Sequence, residues 1–204
     1  MREFTIDQFT EALSSAAPVP GGGGASALMG ALASSLCSMV ANLTIGKKKY
    51  AEYQADIERI LDETAVLTND ISALIEKDAE AFEPLSKAYS IPKDEPGRDE
   101  ILENALRVAS DAPYEIVAKC QEVASIIEEL SVKGSRLAIS DVGVAASALR
   151  AAVTGASMNV YINTKLMKDR EYAADMNAKT DAAVASVIAT CDKAYELVLG
   201  GLKG

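Results

Sequence analysis

Four consecutive glycines, Gly21 to Gly24, open a span without one charged residue that runs to Gly46 and is closed by Lys47, Lys48 and Lys49. A span this long and this poor in charge is either a membrane crossing or a helix buried in the middle of a protein. It is built mostly from Ala, Gly and Ser, which gain little from lipid compared with Leu, Ile or Phe. The buried helix is therefore the expectation: a central element, small on all sides, entered through a glycine loop at Gly21 to Gly24 and running from about Ala25 to Thr44. No membrane partner is expected.

The remaining chain reads as helices that pack around it. Thr5 to Ser15 has the apolar spacing of a short amphipathic helix, with Phe4, Phe9 and Leu13 on one side and Asp7 near its start. From Lys47 to about Ala88 the residues Tyr53, Ile57, Ile60, Leu61, Thr64, Leu67, Ile71, Leu74, Ile75, Phe82 and Leu85 form one stripe at spacings of three and four, and Pro84 is expected to kink or end that helix. SIPKDEPGR, residues 90–98, is a surface loop. A third long helix spans about Asp99 to Leu130, with Ile101, Leu102, Leu106, Ile116, Val117, Val123, Ile126 and Ile127 inward, and is either bent at Pro113 or restarted there. After a turn at Lys133–Ser135, Ser140 is the expected cap of a helix over Asp141 to Met167, with Val142, Ala145, Leu149, Ala152, Ala156, Val160 and Ile162 inward. The last helix covers about Arg170 to Leu199, with Met176, Ala183, Val187, Tyr195 and Val198 inward and Gly200–Gly201 as its stop. No stretch alternates like a strand, so residues 1–204 are expected to form one all-α domain, a bundle of five or six helices.

Composition narrows the chemistry. A formal charge of -10 and a pI near 4.6 exclude a polyanion such as nucleic acid as partner, because neutralising phosphates requires a basic face. The chain contains no His, so acid-base work falls to carboxylates, lysines, tyrosines or cysteines. Cys37, Cys120 and Cys191 are odd in number and far apart, which supports neither a disulfide framework nor a metal site and suits reduced thiols in the cytoplasm. Acids occupy the N-terminal stretch where an export signal would be apolar.

One residue is out of place: Asp78 lies on the apolar stripe between Leu74/Ile75 and Phe82/Leu85. A carboxyl group there loses water, which favours its neutral form and raises its pKa toward the range of a general acid or base. A structural Asp satisfied by a nearby donor, or a stripe slightly out of phase, is the other reading. Gly21, Gly22, Gly23 and Gly24 before a helix offer backbone N–H groups and the positive end of a helix dipole, although neither nucleotide-binding fingerprint is present. Three lysines at the start of a helix oppose its dipole, which tilts Lys47, Lys48 and Lys49 toward binding an anion. Asn159 and Asn163 share a helix face in the apolar segment GASMNVYIN, and Asn42 sits similarly near the end of the glycine-led helix. Buried amides either tie helices together or read a polar ligand.

PVPGGGGASA, NLTIGKKKY, KDAEAF around Asp78, SDVGVAA around Asp141 and GASMNVYIN, in this order and spacing, resemble the cyclodeaminase domain of formiminotransferase-cyclodeaminase and the stand-alone methenyltetrahydrofolate cyclohydrolases. The likeness covers nearly the whole chain and departs by a fourth glycine followed by Ala25, where relatives often show Ser. It implies an all-helical homodimer or larger assembly acting on tetrahydrofolate one-carbon derivatives, possessing no metal and no cofactor beyond that substrate. Asp78 corresponds to the catalytic aspartate. Gly21 to Gly24 and Lys47 to Lys49 correspond to folate-site elements, the lysines facing the glutamate carboxylates of a polyglutamylated folate; Asn42, Asp141, Asn159 and Asn163 are candidate folate-binding residues beside them. The implied reaction is cyclisation of 5-formiminotetrahydrofolate to 5,10-methenyltetrahydrofolate with release of ammonia. Hydrolysis of the methenyl compound to 10-formyltetrahydrofolate is the alternative, and a helical dimer that only binds folate is a third.

Overall fold

The first helix begins where the sequence supplies a cap. The Thr5 hydroxyl accepts from the Gln8 N–H while the Gln8 side chain accepts from the Thr5 N–H, and α1 follows over Ile6–Ser14. Only Phe9 of its apolar positions is buried; Phe4 and Leu13 are exposed. The computed structural model describes residues 1–204 as six α-helices and two short 3₁₀-helices, with no strand. α2 is Gly22–Asn42, α3 Gln54–Tyr89, α4 Arg98–Lys133, α5 Ile139–Thr164 and α6 Arg170–Lys203.

α2 is central, as its composition predicts: it packs against α3, α4 and α5. Small residues set the distance of approach. A Cβ on Gly155 of α5 would lie 2.4 Å from the Ser26 hydroxyl oxygen, and one on Gly30 would lie 3.2 Å from Ile71 of α3. The core fills with Val40, Ile57, Ile60, Ile71, Ile116, Ile127, Leu130 and Leu149, all fully buried. A smaller cluster of Leu85, Ala88, Leu106, Met167 and Ala173 closes the end of the bundle where α3 finishes and α4 and α6 begin.

Several expectations are corrected. The glycines form the first turn of α2, with Gly21 as its cap, rather than a loop. The lysine segment does not begin α3: Lys48–Tyr53 is a 3₁₀-helix and α3 starts at Gln54. Pro84 and Pro113 both lie inside continuous helices, so neither ends nor restarts one, and α6 runs on through Gly200 and Gly201. Ser140 lies within α5, after a 3₁₀-turn over Arg136–Ala138. Ile101, Ile162 and Tyr195, expected inward, are exposed.

One face of α2 is also open. Leu32 and Met39 on α2 and Leu43 just after it, with Val144, Met158 and Ile162 on α5, are exposed uncharged side chains on two neighbouring helices. Gly22–Asn42 and Arg136–Thr164 are long and apolar enough to cross a membrane, and 56% and 50% of their most apolar stretches are buried inside the protein.

Candidate active site

α2 starts without a capping side chain, so the N–H groups of its first turn need partners from elsewhere. Asp78, at mid-α3, brings its carboxylate to that turn. A Cβ on Gly23 would lie 2.2 Å from Asp78 Oδ1, so glycine at 23 is what lets the carboxylate come so close. Burial pushes the Asp78 carboxyl above the ordinary aspartate range, against the opposing pull of the Gly24 N–H. The stripe thus placed Asp78 correctly, half-buried and with its pKa shifted in the expected direction.

A recess of about 150 Å³ opens beside this carboxylate, lined by Pro18, Val19, Gly21, Gly22, Gly23, Asp78, Phe82, Ala109, Pro113, Asn159, Ile162 and Asn163. Ligand sites for whole drug-sized molecules measure about 300–1,000 Å³, so this one holds a ring or a one-carbon group rather than an entire folate. Both asparagines are held through their amide nitrogens: Asn159 Nδ2 donates to Gly155 O at 2.9 Å and Asn163 Nδ2 to Ala109 O at 3.0 Å. Carbonyl oxygens only accept, which fixes the orientation of both amides. Neither Oδ1 takes a hydrogen bond from the protein, and no buried side-chain polar atom lacks a partner, so both oxygens reach the open space that these residues line.

The sequence candidates therefore divide between two ends of the bundle. Gly21, Gly22, Gly23, Asp78, Asn159 and Asn163 converge on the recess, with Gly24 directly behind. Asn42, Lys47, Lys48, Lys49 and Asp141 do not. α2 is 21 residues long and so rises about 30 Å, which puts Asn42 and the lysines at its far end. Ser135, just before α5, reaches that same far end, where its N–H donates to Thr44 Oγ1 at 2.8 Å and its hydroxyl accepts from Lys47 Nζ at 3.2 Å. Asp141, in the first turn of α5, lies there too. Asn42 is exposed and its amide bonds only Ser38 O.

The lysines sit beyond the C-terminus of α2, where cations suit the helix dipole, and lead into the 3₁₀-helix over Lys48–Tyr53 rather than into α3 itself. None of the three pairs with a carboxylate, although the protein forms 16 other ion pairs. Phe82, Ala109, Pro113 and Ile162 were not singled out as site residues from sequence. Pro113 carried a signal, since a proline inside an amphipathic stripe frees a carbonyl one turn earlier.

No group of His, Cys, Asp or Glu is arranged to hold a metal ion. What the recess offers is one carboxyl group of raised pKa, two amide oxygens and the first turn of a helix, an arrangement suited to proton transfer on a nitrogen-rich small molecule.

Known proteins share both the sequence and the fold. A sequence model described as formiminotransferase-cyclodeaminase matches residues 5–182. A methenyltetrahydrofolate cyclohydrolase of Methylorubrum extorquens is 38% identical over 95% of this chain and 95% of its own length. The formimidoyltransferase-cyclodeaminase of Mus musculus is 30% identical over 98% of this chain, which spans only 37% of that longer protein. The crystal structure of formiminotetrahydrofolate cyclodeaminase from Thermotoga maritima matches with a TM-score of 0.85 at 29% identity, covering 97% of this chain and 98% of that one. With the match running through the glycine turn, Asp78 and both asparagines, this chain belongs to the formiminotransferase-cyclodeaminase family.

Proposed function

We propose that this protein is a tetrahydrofolate one-carbon enzyme that works on the methenyl bridge, with Asp78 as its proton-transfer group. The observation that carries the proposal is the half-buried Asp78 carboxyl, raised in pKa and facing a recess of ring size at the start of α2. The relative of matching length and 38% identity favours the cyclohydrolase reaction. Asp78 takes a proton from water as its oxygen adds to the methenyl carbon; as the carbon–N5 bond breaks, a proton passes to N5 and a second leaves with the collapsing hydroxyl, giving 10-formyltetrahydrofolate. The structural match to a cyclodeaminase supports a second reading. There N10 attacks the formimino carbon, Asp78 takes the N10 proton and returns it to the departing nitrogen, and ammonia leaves from a substrate that arrives protonated. Both readings use one carboxyl group alternately as base and acid.

Ammonia release from 5-formiminotetrahydrofolate and hydrolysis of 5,10-methenyltetrahydrofolate, measured on one preparation, separate the two. Turnover of neither substrate by a protein that still binds folate supports the binding-only reading. Asp78→Asn with unchanged turnover of both refutes the role given to Asp78.

The proposal extends to a homodimer formed through the open α2–α5 face. That face carries uncharged side chains from the recess end, at Met158 and Ile162, to the lysine end, at Leu43 and Val144. Two copies related by a two-fold axis across antiparallel α2 helices place the lysines of one near the recess of the other. A polyglutamate tail then meets Lys47, Lys48 and Lys49 without spanning the roughly 30 Å length of α2. Light scattering tests the assembly: Leu32→Glu with Met158→Glu yields a monomer. Lys47→Ala with Lys49→Ala weakens the polyglutamate more than the monoglutamate, and equal losses assign the lysines to the fold.

A further inference from the structure

Proline has no N–H, so the carbonyl one turn earlier in a helix loses its partner. In α4 the proline is Pro113 and the carbonyl is that of Ala109; both are buried and both line the recess. A buried carbonyl without a donor is costly. Here the missing donor comes from α5: Asn163 Nδ2 bonds Ala109 O at 3.0 Å, across 54 residues of chain. With its nitrogen committed to α4, Asn163 presents Oδ1 to the recess as an acceptor.

We infer that Pro113 is a positioning residue, which frees the Ala109 carbonyl to lock the Asn163 amide so that Oδ1 accepts an N–H from the bound substrate. An ordinary helical residue at 113 would bond Ala109 O itself, and Asn163 would be free to turn its amide over, placing a donor where the ligand also has a donor. For a tetrahydropterin ring, whose edge carries several N–H groups, that exchange turns an attraction into a repulsion. The ligand assignment rests on the folate reading; the lock does not.

The other intrahelical proline serves as a control. Pro84 in α3 is exposed, and no side chain bonds the Glu80 carbonyl that it frees. The prolines are chemically equivalent, and only one has recruited an amide.

The experiment compares Pro113→Ala, Pro84→Ala, Asn163→Ala and the double variant Pro113→Ala/Asn163→Ala. Pro113→Ala leaves the protein as stable as wild type or more so, yet raises KM by roughly tenfold with little change in kcat, the effect of one misdirected hydrogen bond in ground-state binding. Pro84→Ala leaves KM unchanged. Asn163→Ala raises KM and lowers Tm, because Ala109 O is then orphaned. Adding Pro113→Ala restores the Tm, since the alanine introduced there supplies the missing N–H, and raises KM no further. In the ¹⁵N spectrum of the ligand-free protein the Asn163 side-chain amide protons exchange slowly, and in Pro113→Ala they exchange fast. A Pro113→Ala protein that keeps both wild-type KM and a protected Asn163 amide overturns the inference, as does a double variant whose KM effects add. If wild type turns over neither folate, the functional reading falls while the amide-exchange and Tm comparisons still decide the lock.

Discussion

Gly23→Ala is the substitution whose outcome the structure sets most sharply. In most helices Gly→Ala is favourable by about 0.8–1.0 kcal/mol, because alanine has less backbone freedom to lose. Gly200 and Gly201, near the end of α6, have nothing within 4 Å of an added Cβ, so alanine there is stabilising, by up to about 1 kcal/mol in the absence of fraying. Each such gain raises Tm by about 2–4 °C in a domain of this size. At Gly23 the added Cβ lies 2.2 Å from Asp78 Oδ1 and 2.5 Å from Asp78 Cγ. Restoring ordinary contact requires the carboxylate to retreat by about 1 Å, and a misplacement of that size costs roughly 100-fold in rate. The expected result is a folded protein with kcat/KM down by about 100-fold, equivalent to about 2.7 kcal/mol of lost transition-state stabilisation. In an Asp78→Ala background the clash has no partner, so Gly23→Ala there becomes neutral or stabilising; the cycle isolates the 23–78 contact. Circular-dichroism melts and initial rates on the four proteins of the cycle, with Gly201→Ala as a fifth for the Tm comparison, provide the readout. A Gly23→Ala protein with wild-type kcat/KM and the same Tm gain as Gly201→Ala refutes the reasoning.

Asp78→Asn removes turnover and raises Tm at pH 7, since the amide keeps an acceptor for Gly24 without the cost of burying charge. Burial holds the folded-state pKa of Asp78 above its unfolded value near 3.9, so ionising it subtracts stability as pH rises through that interval. The Tm gap between variant and wild type should open across the interval and close below it; a gap independent of pH counts against a desolvated carboxyl. Burial pushes the thiols of Cys37 and Cys120 up to about 12 and that of Cys191 to about 11. A thiol reagent at pH 8 should label none of them at an appreciable rate until the chain unfolds, then all three together; rapid labelling of the native protein contradicts that burial.

The helices were legible because their apolar stripes are long and regular: of the α3 stripe, Ile57, Ile60, Thr64, Leu67, Ile71, Leu74, Ile75 and Leu85 are all buried. Asp78 was legible for the same reason, as a break in a pattern. The glycine turn was not. Four glycines have poor helix propensity and no capping side chain, and what holds them helical lies on α3, more than 50 residues later in the sequence. That α4 continues through Pro113 was not legible either, since local rules count the lost hydrogen bond and cannot see the Asn163 side chain that replaces it. Ile162 continues an inward pattern until α5 passes the edge of its neighbours, where it lines the recess instead.

The two ends of α2 carry opposite electrostatic logic. At the N-terminus the dipole and the Gly24 N–H favour a negative charge, and that is where Asp78 lies, yet burial outweighs both and the carboxyl remains easier to protonate than an aspartate in water. Burial thus moves the carboxyl toward its protonated form, a direction that the dipole and the Gly24 N–H both oppose. At the C-terminus three lysines favour the helix end, so their location there needs no ligand to explain it. Their case for binding rests on a different fact: in a chain of net charge -10, with acids pairing most other exposed cations, none of these three has an acidic partner. An unpaired cationic patch on an acidic protein attracts whatever anion the solution offers. In the homodimer proposed above, a second subunit would bring its lysines toward the recess, so the polyglutamate comparison of Lys47→Ala with Lys49→Ala tests the assembly and the ligand together.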